Sequence, residues 1–253
     1  MPTIATPRAE LIAHTALACD GRSPVIEKYM SLDPGAGDAQ QLTELSGRAC
    51  YQSFHKPNPA TATNAGYISR TLHEQEHFSI AEHASATFYI TGVSRALTHE
   101  LIRHRHLSYS QLSQRFVDES EASIVIPPAV TESTATVVYD TEEFHDDLKG
   151  SLTKALEWWA QDALLNYEEI VEALQGEGLP RKQAREAARA VLPNMIETRI
   201  VVTGNLRAWY EVIDRRIQPD ADAEIQQLSR MLLKQLLTIA PDVFEPLRKH
   251  LEG

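Results

Sequence analysis

The chain is poor in cysteine, in long apolar runs and in positive charge. Its two cysteines, Cys19 and Cys50, are too few for a disulfide framework, and no CxxC spacing exists for a zinc site. No apolar run approaches the ~18 residues that a membrane-spanning helix needs. The first residues show no basic start followed by an apolar stretch, so we expect no signal peptide and a cytoplasmic protein.

The common nucleotide-binding and esterase motifs are also missing. The sequence contains no GxGxxG, no GxxxxGK[ST] and no GxSxG, which argues against a Rossmann crossover, a P-loop and a nucleophile elbow. A formal net charge of -11 argues against generic nucleic-acid binding, which favours a basic domain. Positive charge that is local in such a chain is better suited to a small anionic ligand.

Length and periodicity predict a single globular domain over residues 1–253, with 43% hydrophobic and 23% charged residues. Apolar spacing of three and four residues predicts helices, and strict alternation predicts strands. The fold class is therefore α+β. Four predicted helices cover 38–50, 94–106, 141–174 (ended by Gly176) and 225–239. Three more are predicted by their first residues: one with an N-cap at Asn64, one opened by Pro180 and one capped by Asn205. The predicted strands cover 85–91 and 196–203.

The segment RHRHLSYSQLSQR, from Arg103 to Arg115, is the most informative stretch. It holds three arginines, two histidines and three serines. Clustered guanidinium groups repel one another, and their planar N–H forks suit phosphate oxygens, so we infer a phosphorylated ligand. The alternative is a solvated basic helix end. Further along, Arg189, Arg199 and Arg207 supply more cations, and a helix start at Asn205 would offer backbone N–H groups to an anion; each arginine could equally be an ordinary surface residue.

A zinc-hydrolase motif provides a competing interpretation. His73, Glu74 and His77 form HExxH, and His83 lies where a third zinc ligand would follow. Ile80 stands where that longer pattern has glycine, and a β-branched residue resists the positive φ that the sharp turn needs. We therefore expect no metal.

The residues then converge on a family. RHR followed after seven residues by Ser113 is similar to the signature of flavin-dependent thymidylate synthases. Four further segments resemble that family's other motifs, so the resemblance covers about Ala39 to Phe244. These segments are GRACY (47–51), HFSIAEH (77–83), ARAVLPN (188–194) and ETRIVVTGNLRAW (197–209).

The resemblance implies mixed helices with a small antiparallel sheet, in a homotetramer whose active sites are shared between subunits. It implies binding of FAD, dUMP, methylenetetrahydrofolate and NADPH, and reductive methylation of dUMP to dTMP. It also implies no enzyme cysteine nucleophile, and neither Cys19 nor Cys50 lies in a motif of the flavin-free synthases. No nucleic-acid or membrane partner is expected.

Residue roles follow from the same resemblance. Arg216 is expected to stabilise the uracil ionised at N3, and Ser113 to polarise the uracil. The residues expected at dUMP are Glu100, Leu101, Ile102, Arg103, Gln111, Leu112, Ser113, Gln114, Arg115, Arg189 and Arg216. Those expected at FAD are Ser79, Arg103, His104, Arg105, Gln111, Asn205, Leu206, Arg207 and Glu211.

Three positions depart from the family pattern. Glu211 stands where the family usually carries Asn or His, Asp220 where it often carries His, and Glu76 where glycine is common. Glu211 and Asp220 add negative charge near an anionic cofactor, so we expect weaker FAD retention than is usual. They also leave open a nucleotide-binding relative that lacks flavin turnover.

Overall fold

The structure is a computed structural model that describes residues 1–18, 35–56, 58–141 and 144–251. Cys19 and the first part of the turn expected at Asp33–Gly37 lie outside the described residues. The strands are β1 (Arg8–His14), β2 (Ser85–Ser94), β3 (Leu107–Gln111), β4 (Thr136–Thr141), β5 (Phe144–Ser151) and β6 (Glu197–Asn205). The helices are α1 (Asp38–Tyr51), α2 (Asn64–Ile68), α3 (Arg95–Leu101), α4 (Pro128–Thr131), α5 (Leu152–Gly176), α6 (Arg181–Ala188), α7 (Leu206–Arg216), α8 (Ala223–Ile239) and α9 (Pro241–Phe244).

The α+β class is confirmed, with mixed helices and a small sheet. One sheet has four strands in the order β1-β2-β6-β3, and the other is the antiparallel hairpin of β4 and β5. Among the described residues, no helix is long and apolar enough to cross a membrane.

The chain folds into two units. Unit 1 comprises residues 1–8, 90–103 and 110–200, and unit 2 comprises 9–89, 104–109 and 201–253. In unit 1, a core cluster forms around Ile124, Ala160, Leu164 and Ile196, all nearly inaccessible to solvent. Ile124 also bridges to Ile196, which ties the loop after β3 to the start of β6.

The core of unit 2 contains an aromatic pair. Phe88 meets Trp209 edge to face at 5.0 Å, and the indole Nε1 donates to the Ala86 carbonyl at 3.0 Å. A Cβ on Gly204 would overlap the end of the Leu107 side chain, so glycine lets the leucine of β3 pack directly against the β6 backbone.

A buried polar network joins α1, α2 and α9 in unit 2. Glu44 accepts from the Arg48 Nε at 2.5 Å and from the Asn64 amide at 2.8 Å. Gln40 donates to Asn64 and to Asp242, each at 2.6 Å. Because these buried groups have hydrogen-bond partners, the network avoids the desolvation cost of unpaired charge. It also anchors the end of α1 that carries Cys50 and Tyr51.

Several predicted elements are confirmed. The alternating Ala86, Phe88 and Ile90 are fully buried on β2. Asn205 caps α7 by accepting from the Ala208 N–H at 2.8 Å, and Gly178, with φ 92°, follows the end of α5.

Three predicted boundaries are wrong. The helix predicted for 94–106 ends at Leu101, and the chain continues as β3, which periodicity did not indicate. The helix predicted for 141–174 begins only at Leu152, because the preceding residues form the β4–β5 hairpin. The N-cap expected at Asn64 is Thr63, whose hydroxyl accepts from Gly66 N at 3.1 Å and leaves the Asn64 amide for the buried network.

Candidate active site

The RHR segment lies between a short helix and a strand. After α3 ends, Arg103 and Arg105 are exposed, and the Arg103 guanidinium is 3.5 Å from Glu100. The Arg103 side chain is 70% exposed, so this ion pair contributes little and leaves the guanidinium accessible. The division into units falls inside the motif, with His104–Tyr109 in unit 2 and the flanking residues in unit 1.

Unit 1 contains a cavity of about 440 Å³ with two arginines in its wall. It is lined by Arg95, His99, Gln114, Glu186, Arg189, Ala190, Leu192, Pro193 and Asn194. Two of these residues, Gln114 and Arg189, are in the predicted dUMP set. Arg115 of the same set lies 4.0 Å from the Glu186 carboxylate, so it lies beside the lining residue.

Two lining residues of this cavity have buried donor atoms that make no hydrogen bond to any described residue. Within the part of the chain that the structure describes, the buried Arg95 Nη1 and Gln114 Nε2 have no hydrogen-bond partner. Burial lowers the pKa of Arg95, Glu119 opposes that shift, and the cation of Arg189 adds to it. A buried donor without a partner costs free energy, so this wall is complementary to an anion with several oxygens.

Arg95 is a lining residue that the sequence motifs did not indicate. It is the first residue of α3, directly after the N-cap Ser94, which accepts from Leu97 N at 3.0 Å. A cation is disfavoured at a helix N-terminus, where the macrodipole is positive. An arginine directly after an N-cap serine is therefore the signal that could have indicated an anionic ligand.

Unit 2 contains a cavity of about 220 Å³ at the start of α7. It is lined by Glu82, His106, Asn205, Arg207, Ala208 and Glu211. Arg207 is paired on both sides, with Nη1 2.5 Å from Glu82 and Nε 3.3 Å from Glu211. The hydrogen bond to Glu82 raises the pKa of Arg207, and the bond to Glu211 adds to it. The Glu82 pairing was not predicted from sequence.

A second cavity of unit 2, of about 500 Å³, shares Arg207 with the first. It is lined by Ser46, Cys50, Tyr51, Glu76, His77, Phe78, Ser79, Ile80, His83 and Arg207. The Tyr51 and His77 rings are stacked, with centroids 6.1 Å apart and an interplanar angle of 19°. The Tyr51 hydroxyl and His77 Nδ1 are 3.3 Å apart. Such a wall offers aromatic faces to a planar ligand.

Arg216 and His104 are hydrogen bonded within unit 2. The Arg216 Nε donates to His104 Nε2 at 3.0 Å. That nitrogen must therefore be unprotonated, which places the ring proton of a neutral His104 on Nδ1. The Tyr109 hydroxyl donates to the His104 carbonyl at 2.8 Å, and burial raises the Tyr109 pKa to about 12, so the phenol keeps its proton. The structure thus brings together two residues predicted for different ligands.

The other predicted site residues differ in burial and in their hydrogen bonds to the rest of the fold. Gln111 donates to the hydroxyls of Thr98 and Thr198 at 3.0 and 3.2 Å, which leaves its carbonyl oxygen for a ligand. The Leu101 and Leu206 side chains are fully buried in the core, and Leu206 N donates to the Ala84 carbonyl at 2.9 Å. Ile102, Arg103 and Arg105 are exposed, and Leu112 and Ser113 are half-buried.

The zinc alternative lacks its structural basis. A π-helical turn, Ser69–Glu74, ends inside the HExxH motif, and Glu76 has φ 57°, so the two histidines do not share one helix face. His73 Nε2 donates to the Asp242 carbonyl at 2.9 Å. Over residues 1–18, 35–56, 58–141 and 144–251, no group of three or more His, Cys, Asp or Glu could hold a metal ion.

Comparison with known proteins agrees with the motif resemblance. Residues 34–242 match the family model described as thymidylate synthase complementing protein. A flavin-dependent thymidylate synthase of Mycolicibacterium gilvum (strain PYR-GCK) is 49% identical over 245 residues, covering 96% of this chain and 91% of the relative. One of Mycobacterium tuberculosis (strain ATCC 25618 / H37Rv) is 48% identical over 244 residues, covering 94% and 88%.

Solved structures with the same fold are more distant in sequence. Thymidylate synthase X of Helicobacter pylori, with FAD and dUMP, has a TM-score of 0.61 at 19% identity and covers 98% of this chain and 100% of its own. A UMP/dUMP methylase of Streptomyces cacaoi, bound with 5-Br dUMP, has a TM-score of 0.65 at 21% identity, with 97% and 96% covered. The chain belongs to the flavin-dependent thymidylate synthase family. It is therefore an enzyme of a flavin-dependent class.

Proposed function

We propose that this chain converts dUMP, methylenetetrahydrofolate, NADPH and a proton into dTMP, tetrahydrofolate and NADP⁺. The reaction would bond the methylene carbon to uracil C5, which loses its proton, and a hydride would bring the transferred carbon to the methyl level. FAD would supply the hydride chemistry when bound, by accepting a hydride from NADPH and passing it on. The observation that supports this proposal most strongly is the pair of cations, half-buried Arg95 and exposed Arg189, that line the unit 1 cavity.

The unit 1 cavity fits the phosphate of a nucleotide. A phosphate monoester carries up to two negative charges and three terminal oxygens, and Arg95 and Arg189 are cations whose forks match those oxygens. The buried Gln114 amide would add one more donor. We assign Arg115, which lies 4.0 Å from the lining residue Glu186, to the rim of this site.

The unit 2 cavities offer donors and aromatic surface that suit a flavin. Stacked Tyr51 and His77 offer aromatic surface, Ser79 offers a hydroxyl, and Asn205 and Arg207 lie at the start of α7. Glu82 and Glu211 both approach the Arg207 guanidinium, and two carboxylates against one cation leave a net negative charge. This charge balance supports our expectation of weak FAD retention.

Arg216 is proposed to stabilise negative charge that develops on the uracil. Its hydrogen bond to His104 holds the guanidinium in one orientation, which reduces the reorganisation needed during the reaction. A preorganised donor of this kind typically contributes about 3 kcal/mol to lowering the barrier. Ser113, half-buried in the turn after β3, is proposed to polarise the uracil as a hydrogen-bond donor.

Cys50 is not proposed as a nucleophile. It is exposed and lies on the wall of the larger unit 2 cavity, whose lining includes none of the residues that we assign to dUMP. Catalysis without an enzyme thiolate predicts that the double variant Cys19→Ala, Cys50→Ala keeps its dTMP synthesis. Loss of activity in a folded double variant would contradict this part of the proposal.

We also propose a homotetramer. Helix α5 exposes large apolar side chains, with Trp158 55%, Trp159 56% and Leu165 48% accessible, and such a surface favours association. Light scattering on the purified protein gives the mass directly, and a monomeric mass at micromolar concentration would contradict the proposal. The cytoplasmic location and the single-domain organisation stay predictions.

The central test is a dUMP-dependent assay. The protein is saturated with FAD, and NADPH oxidation and dTMP formation are followed with and without dUMP and methylenetetrahydrofolate. We expect dTMP only when all four compounds are present. Binding of dUMP without dTMP formation would favour the nucleotide-binding alternative that Glu211 and Asp220 left open.

A further inference from the structure

A buried carboxyl group of unit 1 has no role in the proposed reaction. Glu119 lies in the loop after β3 and is 4% exposed. Among the residues that the structure describes, its Oε1 has no hydrogen-bond partner. Its backbone carbonyl accepts from Ala122 N at 3.0 Å, so the loop holds the carboxyl inside the protein. An unpaired buried carboxylate is costly, which calls for an explanation.

Charged groups on α3, β6, α6 and its own loop, and a tyrosine on α5, lie around Glu119. Arg95 of α3 acts on it most strongly among them, followed by Glu197 of β6, Asp118 of its own loop and Arg199 of β6. Tyr167 of α5 and Arg185 of α6 complete the set; the Arg185 guanidinium is bonded to Asp118.

The other ions near Glu119 are already paired with one another. Arg199 is 3.4 Å from Glu197, and the Glu197 carboxylate also accepts from Gly92 N at 2.9 Å. Glu197 and Asp118 nevertheless each act on Glu119 more strongly than Arg199, so the net effect of these ions is to disfavour the Glu119 carboxylate. Backbone hydrogen bonds bring the start of α3 and the Glu119 loop together at the start of β6, because Arg95 N donates to the Ile196 carbonyl at 3.1 Å and Glu197 N to the Ser123 carbonyl at 2.9 Å. Arg95, which lines the phosphate cavity, is the cation that acts most strongly on Glu119.

The balance between burial and Arg95 sets the proton affinity of this carboxyl. Burial raises the pKa of Glu119 to about 7, although Arg95 opposes the shift. Near neutral pH the group is therefore close to half ionised. Any negative charge that binds to Arg95 disfavours the carboxylate further.

We propose that Glu119 is a positioning residue that acts through Arg95, serving as the counter-charge of Arg95 in the free protein and taking up a proton when a phosphate group binds there. The inference rests on the proposed function, because it requires the phosphate of dUMP in this cavity. Protonated Glu119 carries no charge, so the Arg95 guanidinium then interacts electrostatically with the ligand and no longer with a carboxylate.

The proposed protonation of Glu119 fixes the direction in which the affinity for dUMP changes with pH. The complex has the higher Glu119 pKa, so it binds more protons than the free protein. Affinity for dUMP therefore falls as the pH rises from about 7, the value in the free protein, toward the higher value in the complex. Ionisation of the phosphate itself, with a second pKa of about 6, acts in the opposite direction and is complete by about pH 7.5.

The test is isothermal titration of dUMP into the FAD-loaded protein, between pH 6.5 and 8.5, in buffers of different ionisation enthalpy. The parent protein should take up on the order of half a proton per dUMP at pH 7.5. Glu119→Gln should remove that uptake. Its dUMP affinity should equal that of the parent at pH 6.5 and exceed it several-fold at pH 8.5.

Glu121→Gln is the matched control, because Glu121 is an exposed carboxylate two residues further along the same loop. It should keep the proton uptake of the parent. If dUMP does not bind the parent at all, the proposed function fails. If dUMP binds and Glu119→Gln keeps the same uptake and pH profile, the function stands and the role of Glu119 is refuted.

The parent alone gives a second readout if the glutamine variant does not fold. Deoxyuridine lacks the phosphate and should bind without the proton uptake seen with dUMP. Equal uptake for deoxyuridine and dUMP would overturn the inference, since the linkage would then not depend on the phosphate.

Discussion

The arginines that line the unit 1 cavity and those of the unit 2 site differ in how their charges are paired. In unit 1, Arg95 and Arg189 line one cavity, and a single buried carboxyl group balances Arg95. In unit 2, Arg207 is held between two carboxylates, and Arg216 is bonded to a neutral imidazole nitrogen. Unit 1 is thus built for a strongly anionic group. Unit 2 holds both guanidinium groups in fixed orientations, and the charge of Arg207 is balanced by its two carboxylates.

The largest effect should come from removing the half-buried cation Arg95 from the unit 1 cavity. Arg95→Ala should weaken dUMP binding by about 100-fold, because it removes a buried charged donor from the phosphate. Arg95→Lys should recover part of the loss, since lysine keeps the charge but not the fork. Titration calorimetry measures both. Arg230→Ala, at an exposed position of α8, is the control. If Arg95→Ala and this control bind dUMP equally well, the unit 1 cavity is not the anion site that distinguishes the two units.

Removing an oriented guanidinium from unit 2 should affect turnover more than binding. Arg216→Ala should lower kcat by about 100-fold, because a preorganised donor acts mainly on the transition state. The affinity for dUMP should change far less than it does in Arg95→Ala. Steady-state kinetics together with calorimetry separate the two quantities. The exposed neighbour Arg215 provides a control variant, and a kcat for Arg216→Ala within threefold of that control would argue against the assigned role.

A smaller effect is expected when one of the two carboxylates beside Arg207 is neutralised. Glu211→Gln should tighten FAD binding by less than about fivefold, because Glu211 is 44% exposed and a surface ion pair contributes at most about 1 kcal/mol. Fluorescence titration of the flavin gives the affinity. Glu172→Gln, on the exposed face of α5, should leave it unchanged. Weaker FAD binding by Glu211→Gln would show that Glu211 supports the cofactor.

The smallest effect concerns the backbone at the larger unit 2 cavity. Glu76 has φ 57°, a left-handed conformation that glycine adopts without strain. Its neighbour Gln75 has φ -97°. Glu76→Gly should therefore leave the protein about 1 kcal/mol more stable than Gln75→Gly does. Urea unfolding compares the two variants, and equal free energies of unfolding would show that the turn is not strained. Glu76→Gln then separates the effect of charge on FAD binding from that of the backbone.

Motifs with a local cause were predictable. The cap at Asn205, the alternation of Ala86, Phe88 and Ile90, and the break at Gly178 depend on neighbours within a few residues. The extent of α3 was not predictable from such signals. Its apolar spacing continues toward His106, yet the chain leaves the helix at Leu101 and enters the sheet as β3. Pairing within the sheet outweighed the local helical pattern, as tertiary context often does.

The candidate site shows the same division. The arginines of the RHR segment, Arg189 and Arg216 were identified from motif and charge. Arg95 and Glu119 were not, because their importance depends on burial. Likewise, HExxH suggested a zinc site only as long as one helix was assumed to carry both histidines.

Residue types and their spacing along the chain were enough to indicate the family, the clustered arginines and the phosphorylated character of the ligand. The folded chain was needed to show which cations are balanced and by what. Burial and pairing depend on segments far apart in sequence, as in the ion pair of Glu82 with Arg207. The energy of a charge is set by these surroundings, so its role becomes visible only after the chain has folded.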